Sequence, residues 1–320
     1  MGRSRQNAVM LIDGNNLVAI NTHAYRLTAD DGTATGGIFG TVKKIRALLL
    51  DEFTDHEFSD VVFAVDAGRP AFRIEACPAY KEGRERSRAK KEDSYAEYKQ
   101  QVRTVQPFLR TLGCDVVRSP GWEADDVIAY LALRKHRDQS VVIVSGDKDL
   151  LQLASDRVWV YMPSQRELMR GRDVPKTLLL RRCIEGDSSD NIVGIKGLGQ
   201  KKAAEIVEAD GGYRTPEDLY ARYRDPKYWN ERWLDNDESR EVLFRNFEIM
   251  SSKIAVRRMI QAKAGLKYKR GRMNRKAFYR QCSDLAFSSI LQNRKTFHVP
   301  FEDRFNGTQR RAETGTTPAG

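Results

Sequence analysis

Residues 114–131 read CDVVRSPGWEADDVIAYL. The first third is β-branched and apolar, the spacing of a short strand. Pro120 and Gly121 break it, and an apolar helical pattern starts at Ala124. At that joint Glu123, Asp125 and Asp126 crowd three carboxylates into four positions. Acids favour a helix N-terminus, so capping accounts for one of them. Three like charges resist desolvation together and point to a cation.

The same design recurs on both sides. AVMLIDG at 8–14 and VVFAVDAG at 61–68 are apolar runs that end in Asp13 and Asp66, and VVIVSGDKD at 141–149 ends in Asp147 and Asp149. VWVYM at 158–162 supplies a fifth strand. Helices are expected over 37–53, 95–112, 124–135 and 176–184. Strands of this kind separated by helices predict an α/β fold with a mostly parallel central sheet flanked by helices. In open sheets of this class, sites lie beyond the carboxyl ends of the strands, where these acids fall.

The 320 residues carry a net charge of +11, which favours a polyanionic partner. From Lys253 to Arg280 there are eleven Lys and Arg and no acid. No apolar run reaches the ~18–20 residues of a membrane span, and the N-terminal residues lack the apolar core of a signal peptide. A cytoplasmic protein is the expectation, with no membrane role. Cys77, Cys114, Cys183 and Cys282 form no CxxC pair and read as free thiols.

Residues 80–103 are densely charged and contain three tyrosines. The segment suits a solvated helix or loop, or a cover over a phosphate chain beside the acids. Further on, IEGDSSDNIVGIKGLGQKKAAEIVE at 184–208 adds Asp187 and Asp190, then Gly194, Gly197 and Gly199 before a helix starting near Gln200. Lys201 and Lys202 follow. Glycines at a helix start leave N–H groups free for phosphate, the pattern of a helix-hairpin-helix contact with a nucleic-acid backbone. Residues 210–240, with Trp229 and Trp233, read as a packing insertion. An amphipathic helix is expected over 241–259, and another from an Asn274 cap through Leu291. The tail from Asn306 is polar and expected to be disordered.

The tally at the sheet edge is Asp13, Asp66, Glu123, Asp125, Asp126, Asp147, Asp149, Asp187 and Asp190, with no histidine or cysteine among them. Hard oxygen donors exclude a typical zinc site and favour Mg²⁺, with Mn²⁺ as a substitute. Two ions ~4 Å apart would offset this charge and fit phosphodiester hydrolysis.

The motifs LIDGNN, VVFAVDAGRPAFR, AYKEGR, GWEADDVIAYLA, VIVSGDKDLLQL and GDSSDNIVGIKGLGQKKA resemble, in order, the 5′-nuclease (flap endonuclease) family. That family includes the nuclease domain of bacterial DNA polymerase I and the free-standing bacteriophage 5′→3′ exonucleases, and the chain looks like the free-standing sort. The resemblance is clear over residues 8–208 and weak to about 292. It implies a nuclease core over 1–175, a helix-hairpin-helix and C-terminal helical region over 176–300, and a tail over 301–320. Asp13, Asp66, Glu123 and Asp125 would hold the first metal. Asp147, Asp149 and Asp187 would hold the second, with Asp126 and Asp190 in support. Lys81 and Arg84 would contact the scissile phosphate, Tyr80 would stack on the terminal base, and Arg73 would be a further phosphate contact. Residues 82–101 would form a helical arch, and the hairpin at Gly194–Gln200 would grip duplex DNA with a K⁺ ion on its carbonyls.

The implied activity is cleavage of DNA flaps, nicks or RNA primers in replication or repair, by a monomer that meets replication proteins and also accepts RNA–DNA hybrids. One departure is Ile20, where the family commonly has an arginine. Two alternatives stay open: a PIN-type ribonuclease, and a catalytically silent structure-specific DNA-binding protein.

Overall fold

Alternation along the first strand decides how the sheet is covered. In β1 (Gln6–Asp13), Ala8, Met10 and Ile12 enter one hydrophobic cluster, while Val9 and Leu11 enter another on the opposite face. A strand buried on both faces needs apolar residues at every position, which is why the run is continuous rather than alternating in polarity. The computed structural model describes residues 6–84, 92–222 and 236–303.

From β1 the chain passes through α1 (Gly14–Ala24) and α2 (Gly36–Ala47) to β2 (His56–Ala64). It continues through α3 (Ala71–Ala76) and α4 (Glu92–Thr111) to β3 (Asp115–Arg118), then α5 (Ala124–Tyr130) and β4 (Ser140–Val144). β5 (Val158–Met162) and β6 (Glu167–Met169) complete that side. The sheet order is β6-β5-β4-β1-β2-β3 with one later strand beyond β3. Pairing is parallel from β5 to β3 and antiparallel at both edges. The mostly parallel α/β sheet is therefore as expected. The α1, α2 and α4 helices cover one face, and α5 covers the other.

Next come α6 (Leu178–Glu185), the short strands β7 (Gly186–Asp187) and β8 (Ile192–Val193), α7 (Gln200–Glu208) and α8 (Pro216–Arg222). With α9 (Asp237–Met250) they build a separate apolar cluster around Leu180, Ile184, Val207 and Leu243, which Cys77 and Tyr80 also enter. Trp229, Trp233, part of the charged segment (85–91) and the tail from Asn306 lie outside the described residues.

The helix expected over 241–259 is two helices. Ser251 leaves helical geometry (φ −78°, ψ 114°) to cap α10 (Ser252–Gln261), its hydroxyl accepting from the Ile254 N–H. The 274–291 helix is also split. Asn274 caps α11 (Arg275–Asp284) as expected, but Ala286 at φ +55° separates it from α12 (Ser288–Gln292). The boundary expected at 175 is not a clean cut either. β9 (Lys267–Lys269) pairs with β3, and Phe278, Phe287 and Phe301 join the cluster that holds Met10 and Phe108. The basic stretch hides this return because its charges outnumber its few apolar anchors. All four cysteines are buried free thiols. Among the described residues no helix is long and apolar enough to cross a membrane.

Candidate active site

Short local devices place Asp13, Asp66 and Asp147 at the carboxyl edge of the sheet and fix Asp187 after α6. Asp13 ends β1 and caps α1, one oxygen accepting from the Asn16 N–H at 3.0 Å and the other from the Ser145 hydroxyl at 2.7 Å. Asn16 in turn accepts from the Gly146 N–H at 2.7 Å, so the loops after β1 and β4 are tied together. Asp66, just past β2, donates its N–H to Asn15 at 2.9 Å and accepts from the Ala124 N–H at 2.8 Å, at the first turn of α5. Gly68 (φ +134°) permits this approach: a Cβ there would lie 2.9 Å from the Gly121 Cα. Asp147 accepts from the Asp149 N–H at 2.8 Å. Asp187 accepts from the Ser189 N–H and hydroxyl at 2.8 and 2.7 Å.

Crowding and burial then act on these groups together. Burial, with repulsion from Asp66 and Asp147, pushes the Asp13 carboxyl up to about 7 against its Asn16 and Ser145 hydrogen bonds. Burial, Asp13 and Asp147 hold Asp125 well above the usual carboxylate range. Asp149 is pushed up to about 6 by burial and by Asp147. Carboxyls that raise one another's pKa mark a site suited to cations.

Basic side chains meet the remaining acids. Arg73 is 6% exposed and donates to Glu123 at 2.7 Å, to both oxygens of Asp126 at 2.9 and 2.7 Å, and to the Ile249 carbonyl at 2.9 Å. Lys81 donates to the other Glu123 oxygen at 2.5 Å and lies 3.7 Å from Asp190, which also pairs with Arg84. Burial disfavours the Lys81 charge, but Glu123, Tyr80 and Asp190 together outweigh this and hold its pKa above the ordinary value. For Glu123 itself, Lys81 and Arg73 outweigh burial and hold the carboxyl low.

Two residues expected to meet DNA are drawn into the fold. Arg73, read as a phosphate contact, is committed to Glu123 and Asp126 inside the fold. Tyr80, read as a base-stacking platform, is 5% exposed, and its hydroxyl donates to Glu123 at 2.9 Å. Both are drawn inward because a buried carboxylate must be paired. Asp126, with both oxygens on Arg73, supports Glu123 rather than facing the edge. Among the described residues no three carboxylate, imidazole or thiol groups stand as a metal ion would gather them. Lys81 and Arg73 instead lie among the acids.

The hairpin also forms as read. α6 and α7 are joined through the paired β7 and β8, the Ile195 N–H donates to the Ile184 carbonyl at 2.8 Å, and Gly197 takes φ +82°. Gly199 precedes α7 in an extended conformation, and Lys201 and Lys202 are exposed on its first turn. A Cβ on Gly194 would come within 2.2 Å of the Glu185 carbonyl oxygen, so the tight return needs glycine.

A family model described as the 5′-3′ exonuclease, N-terminal resolvase-like domain matches residues 8–178, more than half of the chain. The chain belongs to the 5′-3′ exonuclease family. DNA polymerase I of Mycobacterium tuberculosis is 32% identical over 224 residues, which is 65% of this chain and 23% of the polymerase. The chain thus spans less than a quarter of that relative's length. A structure of T5 5′-exonuclease with bound divalent metal ions (zinc) superposes with a TM-score of 0.66 at 22% identity, covering 80% of this chain and 93% of that one. The T5 D15 flap endonuclease, as a pseudo-enzyme-product complex with DNA and metal ions, gives 0.62 at 19% identity, covering 93% and 100%. At these identities the likeness concerns the fold.

In this exonuclease-family chain several site residues went unread in the sequence. Asn15, Asn16 and Ser145 sit inside the motifs LIDGNN and VSGD, and only their neighbours were singled out. Tyr98 on α4 donates to the Asn15 carbonyl at 3.0 Å and so ties the far side of the charged segment to the Asp66 loop. It lines a cleft of about 390 Å³ with Asp66, Lys81, Arg84 and Arg103. Ile20 lies near Gly146, whose added Cβ would be 3.2 Å from its Cδ1, so the family's arginine position faces the Asp147 loop.

Proposed function

We propose that the chain is a metal-dependent, structure-specific 5′ nuclease that hydrolyses phosphodiesters in DNA flaps, nicks or RNA primers. The observation that carries this reading is the delivery of acids from separate segments to one sheet edge, with Lys81 and Arg84 lodged beside them. The family match and the DNA-bound T5 relative support it.

The donor set fits divalent cations: hard oxygens only, with Asp13, Asp125 and Asp149 each pushed up by burial and by neighbouring carboxylates, Asp147 among them in every case. Asp13, Asp66 and Asp125, with Glu123, would hold one Mg²⁺, and Asp147, Asp149 and Asp187 a second, with Asp190 in support and Mn²⁺ able to substitute. When bound, such ions supply charge stabilisation for the attacking and leaving oxygens of an in-line displacement. The protein's own part is positioning. Lys81 and Arg84 approach the acids from the cleft side, where their charges orient a phosphodiester against the repulsion of the carboxylates. The Asn16–Gly146 and Asn15–Asp66 bonds keep the acid-bearing loops in register. Gly194, Gly197 and Gly199, with Lys201 and Lys202, would hold duplex backbone without reading sequence, with K⁺ on the hairpin carbonyls.

A 5′-labelled flap duplex in Mg²⁺ tests the reading. Asp147→Ala should abolish cleavage while leaving duplex binding in place. Cleavage by that variant at the wild-type rate would overturn the assignment.

A further inference from the structure

One cation at the edge has no part in the reading above. Arg182, on α6, places its guanidinium between Asp149 and Asp187. Its Nε lies 2.6 Å from one Asp149 oxygen, and its Nη2 lies 2.8 Å from one Asp187 oxygen. The two contacts differ in kind. That to Asp187 is a hydrogen bond, whereas Nε is a buried donor with no hydrogen-bond acceptor in good geometry among the described residues. The Asp149 contact is thus an electrostatic approach that has not matured into a bond.

We propose that Arg182 is a resident counter-cation for the Asp149–Asp187 pair, which a divalent ion must displace in order to bind there. The inference rests on the metal reading of these acids. A guanidinium shared by two carboxylates relieves their repulsion and lets the loop after β4 and the loop after α6 approach each other. An ion that uses the same oxygens must break that arrangement first, so its apparent affinity falls by the cost of the exchange. The unequal contacts allow the exchange in steps: Asp149 is released first, while Asp187 still holds the arginine. Arg182 thereby sets the ion concentration at which this half of the site fills, separately from the half built on Asp13, Asp66 and Asp125. A plain structural salt bridge would tie α6 to its neighbours without tuning the ion.

Mn²⁺ binding to the full chain without DNA separates the two, read by calorimetry and by the free-ion spin-resonance signal. Arg182→Gln should bind Mn²⁺ at its weaker site about tenfold more tightly, as expected when a competing charge is removed. In EDTA the same variant should melt below the wild type, and Mn²⁺ should raise its melting temperature by more. Arg182→Lys keeps the charge but cannot span both carboxylates. It should shift the affinity in the same direction by less, and it gives the readout if the glutamine variant does not fold. Unchanged or weaker Mn²⁺ binding in either variant overturns the proposal. Asp187→Asn serves as the reference and should lose the weaker site. If it does and the arginine variants bind as wild type, the counter-cation role fails while the metal reading stands. If Asp187→Asn keeps every Mn²⁺ site, the metal reading fails and takes this inference with it.

Discussion

Arg73 donates to Glu123, to both oxygens of Asp126 and to the Ile249 carbonyl, where solvent hardly reaches. Removing one partner of a buried ion pair leaves an uncompensated charge, which costs far more than the pair contributes net. Arg73→Met should therefore destabilise the protein by about 3–5 kcal/mol in urea unfolding. A loss well under 1 kcal/mol would mean that water screens the pair. Asp13 yields a pH prediction. Its carboxyl sits at about 7 in the fold against 3.8 in the open chain, so the folded state holds that proton more tightly. Its contribution to stability is full below 3.8 and is lost as pH rises through about 7. Asp149, pushed up to about 6, acts in the same direction. His56 and His136, which burial holds below their ordinary 6.5, oppose it at lower pH, so the variant must be compared with the wild type at each pH. In EDTA, Asp13→Asn should melt above the wild type near pH 8, and the gap should close as pH falls through about 7. A gap that does not change with pH would show that Asp13 does not titrate in this range. Asp13, Asp66 and Asp147 were legible from sequence because each follows an apolar run. The pairing of Arg73 was not, because its acid partners lie at the start of α5 and its immediate neighbours carry no sign of them.

At the scale of elements, strands and the outer bounds of helical stretches were easier to read than the breaks inside them. β5 coincides with the expected run, and α5 begins at the expected residue, because both follow local periodicity and capping. The splits at Ser251 and Ala286 interrupt stretches whose apolar spacing continues across them, so periodicity alone did not reveal them. The hairpin between α6 and α7 offers a sharp test of backbone proximity. At Gly194 an added Cβ would sit 2.2 Å from the Glu185 carbonyl oxygen and 2.5 Å from that of Ile184, neither of which can move like a flexible side chain. Gly194→Ala should cost about 1–3 kcal/mol in denaturant unfolding and weaken duplex binding, the strain expected of overpacking. Full stability and undiminished duplex affinity would mean that the hairpin does not need this close return.

At the scale of the whole molecule, the C-terminal return is what separates the fold from a core followed by an appended DNA-binding region. β9 extends the sheet beyond β3, and Phe278, Phe287 and Phe301 complete the cluster around Phe108. Each large apolar side chain of this kind contributes about 1.5–3 kcal/mol when buried. A chain ending at Gly265 should therefore lose cooperative thermal unfolding, followed by circular dichroism. A truncated chain that melts like the full one would make the segment dispensable. The α/β class, the acids at the strand ends and the glycine hairpin could be read without coordinates, since periodicity, composition and turn chemistry are properties of neighbouring residues. Which cation meets which acid was decided only in three dimensions. Arg73 with Asp126, Lys81 with Glu123 and Arg182 with Asp149 are each brought together from separate segments. A charge on a long side chain has no preferred partner until folding selects what lies within reach and burial makes the pairing obligatory.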